Sequence, residues 1–203
     1  MPCESICKVH QQAKDIEKMV RFMYFLRNFD AKIKKNNYIC NKNLKNMEEL
    51  TLKSTLQVAQ FEELSADEQR VVEVAKQSTY NSYAPYSHFH VGAALLLKNG
   101  TIIPGCNQEN AAFPAGICAE RAALFAAGAQ YPDQPVMLLA IAVRNSKDEF
   151  LKEPASPCGP CRQVIIETET RFKQEVRILL YGTKYTYIID GIKQLMPLSF
   201  KEI

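Results

Sequence analysis

From Ser65 onward the apolar positions change period several times, and each change marks an element. Val71, Val72, Val74 and Ala75 supply one face of a helix. Ser65-Ala66-Asp67-Glu68 stands at its start as a capping box, the hydroxyl reaching the Glu68 amide and the carboxylate reaching back. Asn81–Tyr86 ends it, because Pro85 disfavours helix in the residue before it. Val91–Leu97 and Thr101–Cys106 are apolar runs on either side of Lys98-Asn99-Gly100, a hairpin signal in which Asn-Gly tolerates positive φ. An Ala-rich helix follows from Cys118 to Gln130. Val136–Val143 is continuously apolar and predicts a buried strand. A helix opening at Pro160 or Cys161 runs to Phe172, a buried strand spans Val176–Tyr181, and a last strand spans Tyr185–Ile189. A short helix ends at Leu195-Met196-Pro197. The order α-β-β-α-β-α-β-β predicts a mixed sheet with helices on both faces.

Upstream the pattern weakens. Leu50, Leu52, Leu56 and Val58 alternate with polar residues and predict an extended, half-buried segment. Asp15–Phe29 predicts a short amphipathic helix, with Ile16, Met19, Val20, Met23 and Leu26 at helical spacing. Residues 31–46 are rich in Lys and Asn, lack periodicity, and are expected to be disordered or loosely attached. The chain is thus expected to divide into an N-terminal extension, 1–46, and a domain, 47–203; Met47 as the natural start is a second reading of the extension.

Charge follows the same division. Residues 1–46 hold ten Lys/Arg and four Asp/Glu, or +6; the rest holds fifteen and eighteen, or −3. The mild overall basicity belongs to the extension, so the domain lacks the basic face expected of a nucleic-acid binder and is expected to take a small substrate. No run of about 18 apolar residues occurs, so no membrane association is expected. Seven cysteines, an odd number, without a secretory signal pattern predict a reducing, cytoplasmic setting.

Cysteine placement carries the chemistry. Gly116-Ile117-Cys118-Ala119-Glu120-Arg121 and Ser156-Pro157-Cys158-Gly159-Pro160-Cys161-Arg162 each fall at a predicted helix start, where unpaired amides and the helix dipole favour thiolate. Cys118, Cys158 and Cys161 are read as the three ligands of one Zn²⁺. Three protein ligands leave a fourth position for water, the mark of a catalytic site. Glu120, two residues from Cys118, is placed to move protons beside it. Three thiolates on Zn²⁺ sum to −1, which blunts the acidity of a bound water. Guanidinium donors from Arg121 or Arg162 to the sulfurs are expected to offset that charge. His88 and His90 are not needed as ligands, and Cys106 is read as a small buried residue rather than a fourth thiolate.

The pairing of Cys-x-Glu with Pro-Cys-x-x-Cys is the all-cysteine form of a zinc deaminase signature. The chain resembles the small homotetrameric cytidine deaminases from about Tyr83 to Phe200. The resemblance is carried by Tyr83–Leu97, Gly105-Cys106-Asn107-Gln108-Glu109-Asn110, the two cysteine motifs, and Leu195–Phe200. It implies a three-layer α/β/α sandwich around a mixed five-stranded sheet, and hydrolytic deamination of cytidine and deoxycytidine in pyrimidine salvage. It implies that Asn107 and Glu109 hold the ribose hydroxyls, that Phe89 packs against the base, and that the Ala119 carbonyl receives the exocyclic amine. Phe113 stands where the family often has Tyr, and Phe200 matches an aromatic that reaches a neighbouring subunit of a homotetramer. The rival readings are a deaminase of a nucleoside antibiotic such as blasticidin S, a nucleic-acid deaminase, and a non-catalytic zinc module. Asn107 and Glu109 speak against the first, the domain's charge against the second, and Glu120 against the third.

Overall fold

A computed structural model describes residues 49–200. The helix expected over Asp15–Phe29, together with Cys3, Cys7 and Cys40, lies outside the described residues. In chain order the elements are β1 (Gln57–Ala59), α1 (Ala66–Ser78), β2 (His90–Leu97), β3 (Ile102–Cys106), α2 (Ala119–Gln130), β4 (Val136–Arg144), α3 (Gly159–Phe172), β5 (Arg177–Leu180) and β6 (Thr186–Asp190). The strands form one sheet in the order β1-β6-β5-β4-β2-β3. Every neighbouring pair is antiparallel except β4–β5, which α3 connects as a crossover.

Side chains on the central strands alternate between two cores, as a pleated strand requires. Ala93, Leu95, Leu139, Ile141, Ile178 and Leu180 face α2 and α3, meeting Ala123, Ala127, Ile165 and Ile166. Ala94, Leu138, Ala140, Ala142 and Leu179 face α1, meeting Val71, Val72 and Ala75. The result is the expected three-layer sandwich. Both faces of β4 are buried, which is why its sequence is an unbroken apolar run.

The sheet has six strands, not five. The sixth is β1, which pairs with β6 through Gln57–Ile188, Val58–Tyr187 and Ala59–Thr186. It is three residues long at the sheet's edge. Leu50, Leu52, Leu56 and Val58 are exposed rather than half-buried. Their alternation is therefore not a core face, and backbone pairing, which leaves no side-chain pattern, defines the strand.

Helix starts match the sequence closely. Ser65 caps α1 and accepts from the Glu68 amide, while the Glu68 carboxylate accepts from the Ser65 amide at 2.8 Å. The hairpin turns at Gly100, whose φ of +84° is a region open to glycine.

Candidate active site

The first turns of α2 and α3 meet at one end of the sheet. Cys118 is the N-cap of α2 and Cys158 the N-cap of α3; Cys161 lies in the first turn of α3 and is fully buried. β3 fixes the seat of α2. A Cβ at Gly105 would stand 2.5 Å from the Ala119 carbonyl oxygen and 2.6 Å from the Ala123 amide nitrogen. Only glycine lets the helix lie this close to the strand.

The three sulfurs all lie within 4.8 Å of one another. Cys118 Sγ is 3.7 Å from Cys158 Sγ, which is 3.3 Å from Cys161 Sγ. A tetrahedral zinc with bonds of about 2.3 Å sets its sulfurs about 3.8 Å apart, so this donor set fits zinc in spacing and in softness. Cys118 is more acidic than Cys161. Its hydrogen bond with Cys161 lowers its pKa to about 5, against burial and with help from Arg121. That same contact pushes Cys161 upward. A cation bound among the three sulfurs would favour their thiolate forms.

The two arginines separate. Arg121 Nη2 donates to Cys118 Sγ at 3.6 Å, and Arg121 Nε is buried without a partner beside the cluster. Arg162 does not donate to sulfur. Its Nε donates to the Pro157 carbonyl at 2.9 Å and its Nη1 to the Leu195 carbonyl at 2.7 Å. The expectation of thiolate charge relief therefore rests on Arg121 alone. Arg162 ties the Pro157–Cys158 turn to the C-terminal segment.

Glu120 is almost wholly buried, and burial raises its carboxyl pKa, with the Cys118 thiolate adding to the rise. It shares a cavity of about 530 Å³ with Cys118, Cys158 and Arg121. Phe89, Asn107, Glu109 and Phe113 line the same cavity. Phe113 is exposed and meets Tyr86 edge to face at 5.9 Å. Ala119 does not line the cavity. It is buried, with its carbonyl oxygen facing Gly105 of β3. Gln163 Nε2 donates to the Phe200 carbonyl, and the Phe200 ring is exposed.

Asn107 and Glu109 each hold the loop before β2. Asn107 Oδ1 accepts from the Val91 amide at 2.8 Å, and its Nδ2 donates to the Phe89 carbonyl at 2.9 Å. Glu109 accepts from the Tyr86 and Ser87 amides at one oxygen and from the Ser87 hydroxyl at the other. The Ser87 hydroxyl and the Tyr86 amide hold its carboxyl below the usual range. Sequence reasoning missed Ser87, because a serine in a loop carries no chemical signature of its own. It also missed Gly105, for which a glycine inside a strand was the available signal.

His90 Nδ1 lies 2.5 Å from Ser82 Oγ, and His88 sits in the loop at φ +53°. Cys106 Sγ donates to the Asn81 carbonyl. Among the described residues the three-cysteine cluster excludes all three.

Residues 65–174 match the family model described as the cytidine and deoxycytidylate deaminase zinc-binding region. The chain belongs to this deaminase family. A cytidine deaminase of Halalkalibacterium halodurans is 46% identical over 101 residues, covering 50% of this chain and 71% of that protein. A cytidine deaminase of Sporosarcina psychrophila is 44% identical over 101 residues, covering 50% of this chain and 69% of its own. Among solved structures, the cytidine deaminase of Burkholderia pseudomallei superposes with a TM-score of 0.56 at 34% identity. That match covers 68% of this chain and all of the other. As a member of this family the chain is a zinc-dependent hydrolase, and its three-cysteine cluster is the part able to hold the ion.

Proposed function

We propose that the chain hydrolyses cytidine and deoxycytidine to uridine and deoxyuridine, releasing ammonia, as a cytoplasmic homotetramer in pyrimidine salvage. Residues 47–203 would form the deaminase domain and residues 1–46 an extension. The observation that carries the reading is that Glu120, Cys118 and Cys158 line the same cavity as Phe89, Asn107 and Glu109. Reaction chemistry and nucleoside-sized recognition thus share one space. Its volume suits a nucleoside.

Cys118, Cys158 and Cys161 would hold a zinc ion, which would supply the Lewis acidity that activates water near neutral pH. The remaining work falls to the chain. Glu120 accepts a proton from the water and delivers it to ring N3. The water oxygen bonds to C4, Glu120 then takes the second proton from that C4 hydroxyl and passes it to the exocyclic nitrogen, and the C4–N bond breaks to leave a C4 carbonyl and ammonia. A carboxyl raised by burial suits a group that must both take and give a proton. Arg121 draws negative charge from Cys118. Phe89 stacks beside the base, and Asn107 and Glu109 read sugar hydroxyls.

Charge favours the nucleoside over its 5′-monophosphate. Arg121 is the one Lys/Arg side chain in the cavity lining described, and it faces the sulfur. Two carboxylates, Glu109 and Glu120, share the space. An ultraviolet assay with cytidine, deoxycytidine, deoxycytidine monophosphate and blasticidin S tests this. Turnover of the first two with little of the others is expected; a preference for the monophosphate or for blasticidin S would overturn it.

A further inference from the structure

Ser87 stands between the residue assigned to the base and the residue assigned to the sugar, and it touches both. The Phe89 amide donates to Ser87 Oγ at 3.1 Å, so the oxygen accepts from within the loop. The hydroxyl proton is thereby left for Glu109 Oε1, 2.5 Å away. The Ser87 amide and the Tyr86 amide both donate to Glu109 Oε2, at 3.3 and 2.9 Å. An ionised carboxylate offers about four acceptor sites. Three are taken by this loop, which leaves about one for a ligand. Asn107 closes the other side, donating to the Phe89 carbonyl and accepting from the Val91 amide.

The geometry points to Ser87 as a positioning residue for sugar recognition: its hydroxyl orients Glu109 so that a single acceptor faces a nucleoside hydroxyl, and its contact with the Phe89 amide keeps that acceptor in register with the base wall. This rests on the reading of Glu109 as a sugar contact. Without the hydroxyl, the carboxylate keeps its two amide donors but is free to rotate about them. The acceptor then no longer meets the sugar at a fixed height above the base, and the loss falls on binding of the hydroxyl-bearing substrate.

The test compares cytidine with 2′,3′-dideoxycytidine in the full-length zinc-loaded enzyme. For Ser87→Ala, KM for cytidine should rise roughly ten- to hundredfold, the range for a lost hydrogen bond to a charged group, with kcat little changed. The kcat/KM for dideoxycytidine should fall far less than that for cytidine, so discrimination between the two substrates collapses. Ser87→Thr, which keeps the hydroxyl, should restore it. Equal losses on both substrates, or unchanged discrimination in Ser87→Ala, would overturn the proposal. Glu109→Ala separates the two layers. If it abolishes discrimination while Ser87→Ala does not, Glu109 reads the sugar without Ser87. If Glu109→Ala leaves discrimination intact, the sugar assignment falls and this inference with it. Unaltered zinc content and melting temperature in Ser87→Ala would confirm that the variant is folded.

Discussion

Glu120 is nearly enclosed, sits two residues from the Cys118 thiolate, and has its proton affinity raised by both facts. An amide in its place keeps size and shape but cannot relay a proton. Glu120→Gln should therefore retain one zinc per chain while turnover falls by at least about 10²–10⁴-fold, measured by metal analysis beside the ultraviolet assay. Normal turnover would remove Glu120 from the chemistry. The three cysteines and Glu120 were legible because thiols and an acid at two helix starts have few common uses. Arg121 and Arg162 were offered as alternatives, and the sequence could not choose between them: position next to a ligand does not say where a long side chain such as Arg162, with five donors, will point. In the structure it points to the carbonyls of Pro157 and Leu195.

Elements bring these residues together, and the tightest join is between β3 and α2. Gly105→Ala places a methyl where the Ala119 carbonyl and the Ala123 amide already stand. The helix must shift, carrying Cys118 and Glu120 with it. We expect a stability loss of about 1–3 kcal/mol, read by denaturant titration, together with lower zinc occupancy and activity. A variant with full zinc content and wild-type turnover would show that the seat is not needed. Helices and central strands were legible because both faces of the sheet are covered, which imposes continuous apolar runs and sharp caps. β1 was legible only as an extended stretch. It meets one neighbour through backbone hydrogen bonds and leaves its large side chains exposed, so nothing in its residue pattern gives its partner.

Across the whole molecule, Glu68 on α1 links to Arg177 on β5, which also pairs with Asp190 on β6. Burial opposes ionisation of Glu68, but hydrogen bonds from Ser65 and Arg177 outweigh it and the pKa falls below its unfolded value. A depressed carboxyl contributes stability above the unfolded pKa of about 4.3 and loses it as pH drops through the folded value. Glu68→Gln should thus lower the melting temperature near neutral pH, with the gap to the parent protein closing below about pH 4. A gap that stays constant with pH would assign the loss to packing. The largest consequence at this scale comes from Cys118 and Cys158, two helix caps separated by forty positions. An ion gripping both is a removable cross-link, closing a loop that contains α2 and β4 entire. By chain entropy, such a closure is worth about 4 kcal/mol when the loop is of that size. Thermal unfolding under reducing conditions, with and without a strong chelator, should show a markedly lower midpoint once the ion is withdrawn. The same atoms that would prepare water for reaction would then also act as a clasp in the chain, so that zinc supply would govern the enzyme's persistence as well as its rate.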